Sequence, residues 1–246
     1  MNCRNCGYPL AGNFCSNCGQ SAKVNRINLT TVLHELSEGV FQVNRGFFYT
    51  LKALFTRPGK SLQEYLNGKR KDHFKPVAYV LTWSTLYFLI AQLSGQNTWI
   101  DDLITGWMNG AAGLDSASAV PKIATWFAKN YAYTSLLLLP LFSLASYLSF
   151  SKFGKNFLEH LVVNTYLTGQ QAIIYALFAI GRAVTGWEIL EPFSLLTAIG
   201  YTFWVFWQFF SEGNRIMNIL RTLLTYVWYL IFCVGLSLLL VLIDKL

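Results

Sequence analysis

Thr56-Arg-Pro-Gly-Lys-Ser-Leu-Gln-Glu-Tyr-Leu-Asn-Gly-Lys-Arg-Lys-Asp-His-Phe-Lys-Pro76 divides the chain into two parts that need different solvents. Before it lies a polar, cysteine-bearing head; after it lies a long apolar body. The stretch itself carries Arg57, Lys60, Lys69, Arg70, Lys71 and Lys75. Basic residues packed this closely before an apolar segment hold the segment's entry on the anionic, cytoplasmic leaflet, at about 1 kcal/mol each. These six are therefore candidate contacts to the membrane surface or to a partner.

The distribution of charge agrees. The net charge is +7, and residues 1–76 hold 11 Lys/Arg against 4 Asp/Glu, whereas residues 77–246 hold 8 of each sign. Only 13% of all residues are charged, about half the average of a soluble domain. The positive balance belongs to the head and collar of a membrane protein, and nucleic acid is not an expected partner.

Working back toward the start, Cys3-Arg-Asn-Cys6-Gly7 and Cys15-Ser-Asn-Cys18-Gly19 are two copies of one knuckle. Thiolates at i and i+3 of a tight turn reach one ion, and the following Gly lets the backbone fold back. Two knuckles make a closed four-thiolate site, for which Zn²⁺ is the default metal and iron the minor option. A disulfide pair or a redox C-x-x-C is the rival reading. About twenty residues cannot bury a core, so the metal supplies the folding energy. A zinc thiolate site also implies a reducing, cytoplasmic compartment. The first 20 residues lack the apolar core of a secretory signal. Arg4 and Lys23 are too few for a nucleic-acid surface, so the head, residues 1–27, reads as a docking or regulatory ribbon.

Residues 28–76 read as an amphipathic collar. Asn28 is placed to cap a helix carrying Leu29, Val32, Leu33, Leu36 and Val40 at helical spacing. A second apolar face follows with Phe47, Phe48, Leu51, Leu54 and Phe55, beside Arg45, Lys52 and Arg57. Such a helix lies in a membrane interface or packs on the protein's own loops.

Residues 77–246 form the membrane body. Segments of about 17–25 apolar residues cross a bilayer, and five are expected: about 77–94, 131–150, 157–181, 193–211 and 221–243. The Trp-marked connection 95–130 is too polar to cross and is expected at the outer interface. The fold class is thus an all-α polytopic membrane protein with a small zinc ribbon and amphipathic cytoplasmic helices.

Polar residues within the spans are the candidates for a pathway. His160, Asn164, Thr168, Gln171, Tyr175 and Arg182 fall on one stripe roughly 80° wide at 100° per residue. Thr197, Tyr201, Trp204, Gln208 and Ser211 form another, and Tyr229, Cys233 and Ser237 a third. The intramembrane candidates are His160, Asn164, Thr168, Gln171, Tyr201 and Gln208, either as hydrogen-bonding glue between helices or as the lining of a path. Glu159 and His160 are neighbours but point about 100° apart. Pro140 inside the second span is expected to kink it. No H-E-x-x-H, G-x-S-x-G or P-loop pattern occurs, so an enzyme is not expected.

The knuckles, then Asn44-Arg-Gly-Phe-Phe-Tyr-Thr-Leu51, then the Thr56–Pro76 stretch before several spans together resemble a bacterial family, domain-of-unknown-function family 3667. The resemblance marks Arg57, Pro58, Gly59, Tyr65, Gly68, Lys69, Arg70 and Pro76 as motif positions. It implies a zinc ribbon joined to a polytopic region, and it carries no activity with it. The leading functional expectation is a non-enzymatic membrane adaptor or accessory subunit with a protein partner and contacts to lipid. A small-molecule or lipid transporter using the last three spans is the alternative.

Five crossings with a basic head place the two ends on opposite sides of the inner membrane, head inside. A reporter fused before Met1 is expected in the cytoplasm and one fused after Leu246 outside. Both reporters on one side would mean that a crossing has been miscounted.

Overall fold

The computed structural model describes residues 1–31, 46–111, 126–127 and 129–244. Eight helices organise it: α1 (Gly46–Thr56), α2 (Pro58–Leu66), α3 (Pro76–Leu93), α4 (Trp99–Ala111), α5 (Tyr131–Ser149), α6 (Phe157–Thr185), α7 (Leu190–Phe209) and α8 (Arg215–Asp244). Among the described residues there is no strand, only the isolated bridges Asn2–Pro9 and Phe14–Ser21 in the head. Local chemistry sets several boundaries. Pro58 and Pro76 open α2 and α3, where a missing N–H costs nothing and φ is already helical. Asn156 and Glu159 form a reciprocal capping box at the start of α6. Asn28 caps its own short turn by accepting from the Thr31 N–H at 2.9 Å; Val32, Leu33, Leu36 and Val40 lie outside the described residues.

Each of the five expected spans coincides with a helix. Three of the described helices are long and apolar enough to cross a membrane: Pro76–Leu93, Tyr131–Ser149 and the Arg215–Leu236 part of α8. Helices α6 and α7 are not among them, and for α6 the reason is physical. α6 packs against α3, α5 and α7, and its polar residues Glu159, His160, Asn164, Thr165 and Gln170 are buried among them. α8 is the opposite case, with 11% of its apolar window buried. Pro140 does lie inside α5. The 95–130 connection contains α4, and Trp99 donates to the Tyr131 hydroxyl at 2.6 Å, which fixes the start of α4 on α5.

The collar is embedded rather than laid on the surface. Phe47 stacks on Trp83 at 5.4 Å, and the Tyr201 hydroxyl donates to the Leu54 carbonyl at 3.0 Å. Trp83 lies seven residues into α3 and Tyr201 eight residues from the end of α7, each about 11 Å in from those ends at 1.5 Å per residue. Helix α1 therefore runs across α3 and α7. Of its expected apolar face, Leu54 is buried against the protein while Phe48 is 71% exposed.

Helix α2 closes on the end of α7 through Gly59. A Cβ there would sit 2.3 Å from Gln208 Cβ and 2.4 Å from the Gln208 carbonyl carbon, and the Gly59 N–H donates to Gln208 Oε1 at 3.2 Å. Gln63 adds a bond to the Phe209 carbonyl at 2.8 Å, satisfying an open carbonyl at the end of α7. Because backbone atoms block the space, Gly59→Ala must push the two helices apart. A stability loss of about 1–3 kcal/mol is expected, measured as a lowered midpoint of thermal unfolding in detergent; an unchanged midpoint would contradict this packing.

Candidate metal centre and its junction with the helices

The two knuckles are the same structure twice, twelve residues apart. In the first, Cys3 N–H donates to the Tyr8 carbonyl, Gly7 N–H to Cys3 and Leu10 N–H to Met1; in the second, Cys15 donates to Gln20, Gly19 to Cys15 and Ala22 to Asn13, all at 2.8–2.9 Å. Gly7 and Gly19 take φ of +77° and +72°, a turn that only glycine enters without steric cost. The repeat brings four sulfurs together, all within 4.8 Å of one another. Cys3 Sγ lies 3.6 Å from Cys18 Sγ, and Cys6 Sγ 3.6 Å from Cys15 Sγ.

A tetrahedral ion with four sulfurs at about 2.3 Å has edges of about 3.8 Å, so the donor set fits one metal ion. A disulfide needs sulfurs about 2.05 Å apart, and all four cysteines are free thiols. The thiols are held unequally. The backbone N–H of Tyr8 draws Cys6 down to about 7, while burial pushes Cys18 up to about 12. A bound cation would compensate several thiolates at such short range.

The head is fastened to the collar by residues that sequence reasoning did not select. Gln20 is buried. Its Nε2 donates to the Gly68 carbonyl at 2.8 Å, and its Oε1 accepts from the N–H groups of Arg70 and Lys71 at 3.1 Å. The loop after α2 thus uses a head carboxamide where a regular element would use its own backbone. Asn5 accepts from the Asp72 N–H at 3.3 Å. Arg26 reaches further, with a two-point bond to Glu159 at 2.7–2.8 Å and another to the Gly154 carbonyl at 2.7 Å. The only sequence signal for Gln20 is the twelve-residue offset: it occupies the place held by Tyr8 in the first knuckle.

The basic residues of the collar divide sharply. Arg57 pairs with Glu64 at 2.7 Å and donates to the Tyr49 hydroxyl at 2.9 Å. Lys69 lies 3.7 Å from Glu64 and 3.8 Å from Asp72, and Arg70 donates to the Asn25 carbonyl at 2.8 Å. These three serve the fold. Burial raises the Glu64 carboxyl, but the Arg57 hydrogen bond and charge outweigh it and hold it below its ordinary value. Lys60 and Lys71 are exposed, and Lys75 is half-buried. Behind the loop, His73 is buried against Ser61 Oγ at 3.0 Å; burial draws it down to about 4, so this bond joins neutral groups at neutral pH.

The intramembrane candidates are distributed among the helix contacts. His160 Nδ1 lies 3.0 Å from Ser146 Oγ, and Asn164 Nδ2 lies 2.8 Å from the same oxygen, tying α6 to α5. Gln171 donates to Thr202 Oγ1 at 3.1 Å, tying α6 to α7. Tyr201 and Gln208 join α7 to the collar, as described above. Thr168 is half-buried on α6. Glu159 and His160 go separate ways, one to Arg26 and one to Ser146, and form no joint site.

These features define an all-helical protein with three helices fit to cross a membrane and one tetrathiol centre fastened to a helical collar. The resemblance read from the sequence holds: residues 44–88 match the family model "Protein of unknown function (DUF3667)". The match covers α1, α2, the Gln20-bound loop and the first 13 of the 18 residues of α3. No curated protein and no solved structure matches the chain.

Purified protein is expected to carry one metal ion per chain, lost in Cys3→Ser combined with Cys15→Ser. Elemental analysis checks this; no stoichiometric metal, or metal retained in the double variant, would refute the site.

Proposed function

We propose that this is a non-enzymatic adaptor or accessory subunit of the bacterial inner membrane. In this reading Zn²⁺ occupies Cys3, Cys6, Cys15 and Cys18, the head is cytoplasmic, and five helices cross. The observation that carries it is the fastening of the head. Gln20, Asn5 and Arg26 hold the ribbon at a set position on the helices, as a docking module requires, while Tyr8 and Phe14 remain 50% and 67% exposed. Rigid exposed aromatics are favoured anchors for a protein partner.

Five crossings agree with the packing. α6 and α7 have 29 and 20 residues, about 43 and 30 Å long, and α6, enclosed by α3, α5 and α7, needs less apolarity than a helix facing lipid. The transport alternative relies on the polar stripes. The partners found for His160, Asn164 and Gln171 support glue instead, a role worth about 0.6 kcal/mol per bond.

Complementation of a null strain at matched abundance tests the reading. His160→Leu, Asn164→Leu and Gln171→Leu together are expected to lower stability but retain function. Tyr8→Ser with Phe14→Ser is expected to lose function while keeping the metal. Loss of function from a stably inserted stripe variant, with the head variant fully active, would overturn the adaptor reading.

A further inference from the structure

Among the described residues, the ion pairs at the head end of the helices include none of Lys152, Lys155, Arg215 and Arg221, four cations brought near one another by the ends of α5, α6, α7 and α8. Two of them enter a pocket of about 460 Å³ between the Ser151–Phe153 turn, the 212–214 loop and the start of α8. Lys152, Phe153, Glu212, Asn214, Met217 and Arg221 line it. Arg221 is aimed by its neighbours, donating to Asn218 Oδ1 at 2.7 Å and lying over the Phe153 ring at 5.4 Å. Two cations and Glu212 leave the pocket one net positive charge, which complements a phosphodiester monoanion. Lys155 and Arg215 lie over the Phe209 and Trp207 rings and add to the local positive field.

The pocket also opens onto an apolar track. From Met217 in its wall, Leu220, Leu224, Val227, Ile231 and Val234 follow at alternating steps of three and four, each 43–52% exposed. That stripe runs about 25 Å along α8, enough for an acyl chain. A positive pocket with room for a phosphodiester and the polar group it carries, at the head of an exposed apolar stripe, is the shape of one amphiphile.

We infer that this pocket binds the headgroup of an anionic phospholipid, with a chain lying along α8. The site is distinct from the collar cluster, whose Arg57, Lys69 and Arg70 are engaged within the protein. It does not depend on the adaptor reading, since lipid binding here requires neither the metal nor a protein partner.

Native mass spectrometry of the full-length protein in detergent tests it, with phosphatidylglycerol, phosphatidylcholine or inorganic phosphate added. One phosphatidylglycerol is expected to be retained in preference to phosphatidylcholine and not displaced by millimolar phosphate. Lys152→Ala, an exposed position that leaves the fold intact, is expected to weaken retention about fivefold. Arg221→Gln is expected to weaken it similarly, and Arg221→Lys to preserve it. Lys60→Ala with Lys71→Ala is expected to have no effect. Equal retention of the two lipids, displacement by free phosphate, or loss confined to the Lys60/Lys71 variant would each overturn the proposal.

Discussion

The Gln20 carboxamide is the contact on which the two halves of this protein depend. The loop between α2 and α3 must turn sharply to deliver the chain from the collar into α3, and its backbone groups at Gly68, Arg70 and Lys71 cannot all pair within the loop. Gln20 supplies one donor and one acceptor to all three. Leaving such buried groups unpaired would cost about 1–3 kcal/mol each. Gln20 can do this only if the second knuckle is formed, because the Cys15–Gln20 backbone bond sets its position. With the metal in place, the ion that closes the sulfur cluster therefore also completes a loop that lies outside it.

From that loop the constraint passes inward by packing. Thr50 Oγ1 accepts from the Phe74 N–H at 2.7 Å, and the Tyr166 hydroxyl donates to the Phe74 carbonyl at 2.5 Å. α1, the loop and the central helix α6 thus meet at a single residue. α2 then closes on α7 through Gly59 and Gln208. The head, the collar and the interior of the bundle are thus joined by a connected series of hydrogen bonds, several of them between buried groups whose loss would be expensive.

The parts legible in sequence were those written in periodicity and repetition. Two C-x-x-C-G knuckles at a fixed offset specify four converging sulfurs, and apolar runs such as the one that begins after Pro76 specify where helices lie. Destinations of side chains were not legible. His160 and Gln171 sit on one helical stripe, yet one faces α5 and the other α7, because α6 is enclosed and has no single exposed side. Gln20 and Arg26 gave no signal because their partners, the 68–71 loop and Glu159, are brought close only by the tertiary fold. α6 also shows why apolarity underestimates an enclosed helix: Glu159, His160, Asn164, Thr165 and Gln170 are buried against neighbouring elements rather than turned outward.

Charge was the property whose use within the fold was least legible. Six cations within twenty residues suggest a surface held to anionic lipid by additive attraction. In the folded chain Arg57, Lys69 and Arg70 instead neutralise Glu64 and Asp72 or cap carbonyls, as hydrogen-bond donors whose geometry matters more than their charge. The two pocket cations at the same end come from places far apart in sequence, Lys152 in a short turn and Arg221 in α8, where no run of basic residues marks them. Arg57 divides its N–H groups between Glu64 and the Tyr49 hydroxyl, whereas Arg221 is oriented by a neutral carboxamide, Asn218, and keeps its charge uncompensated in a pocket wall. Attraction to a membrane surface therefore depends on which charges folding leaves uncompensated, and the number along the chain is a poor guide to that.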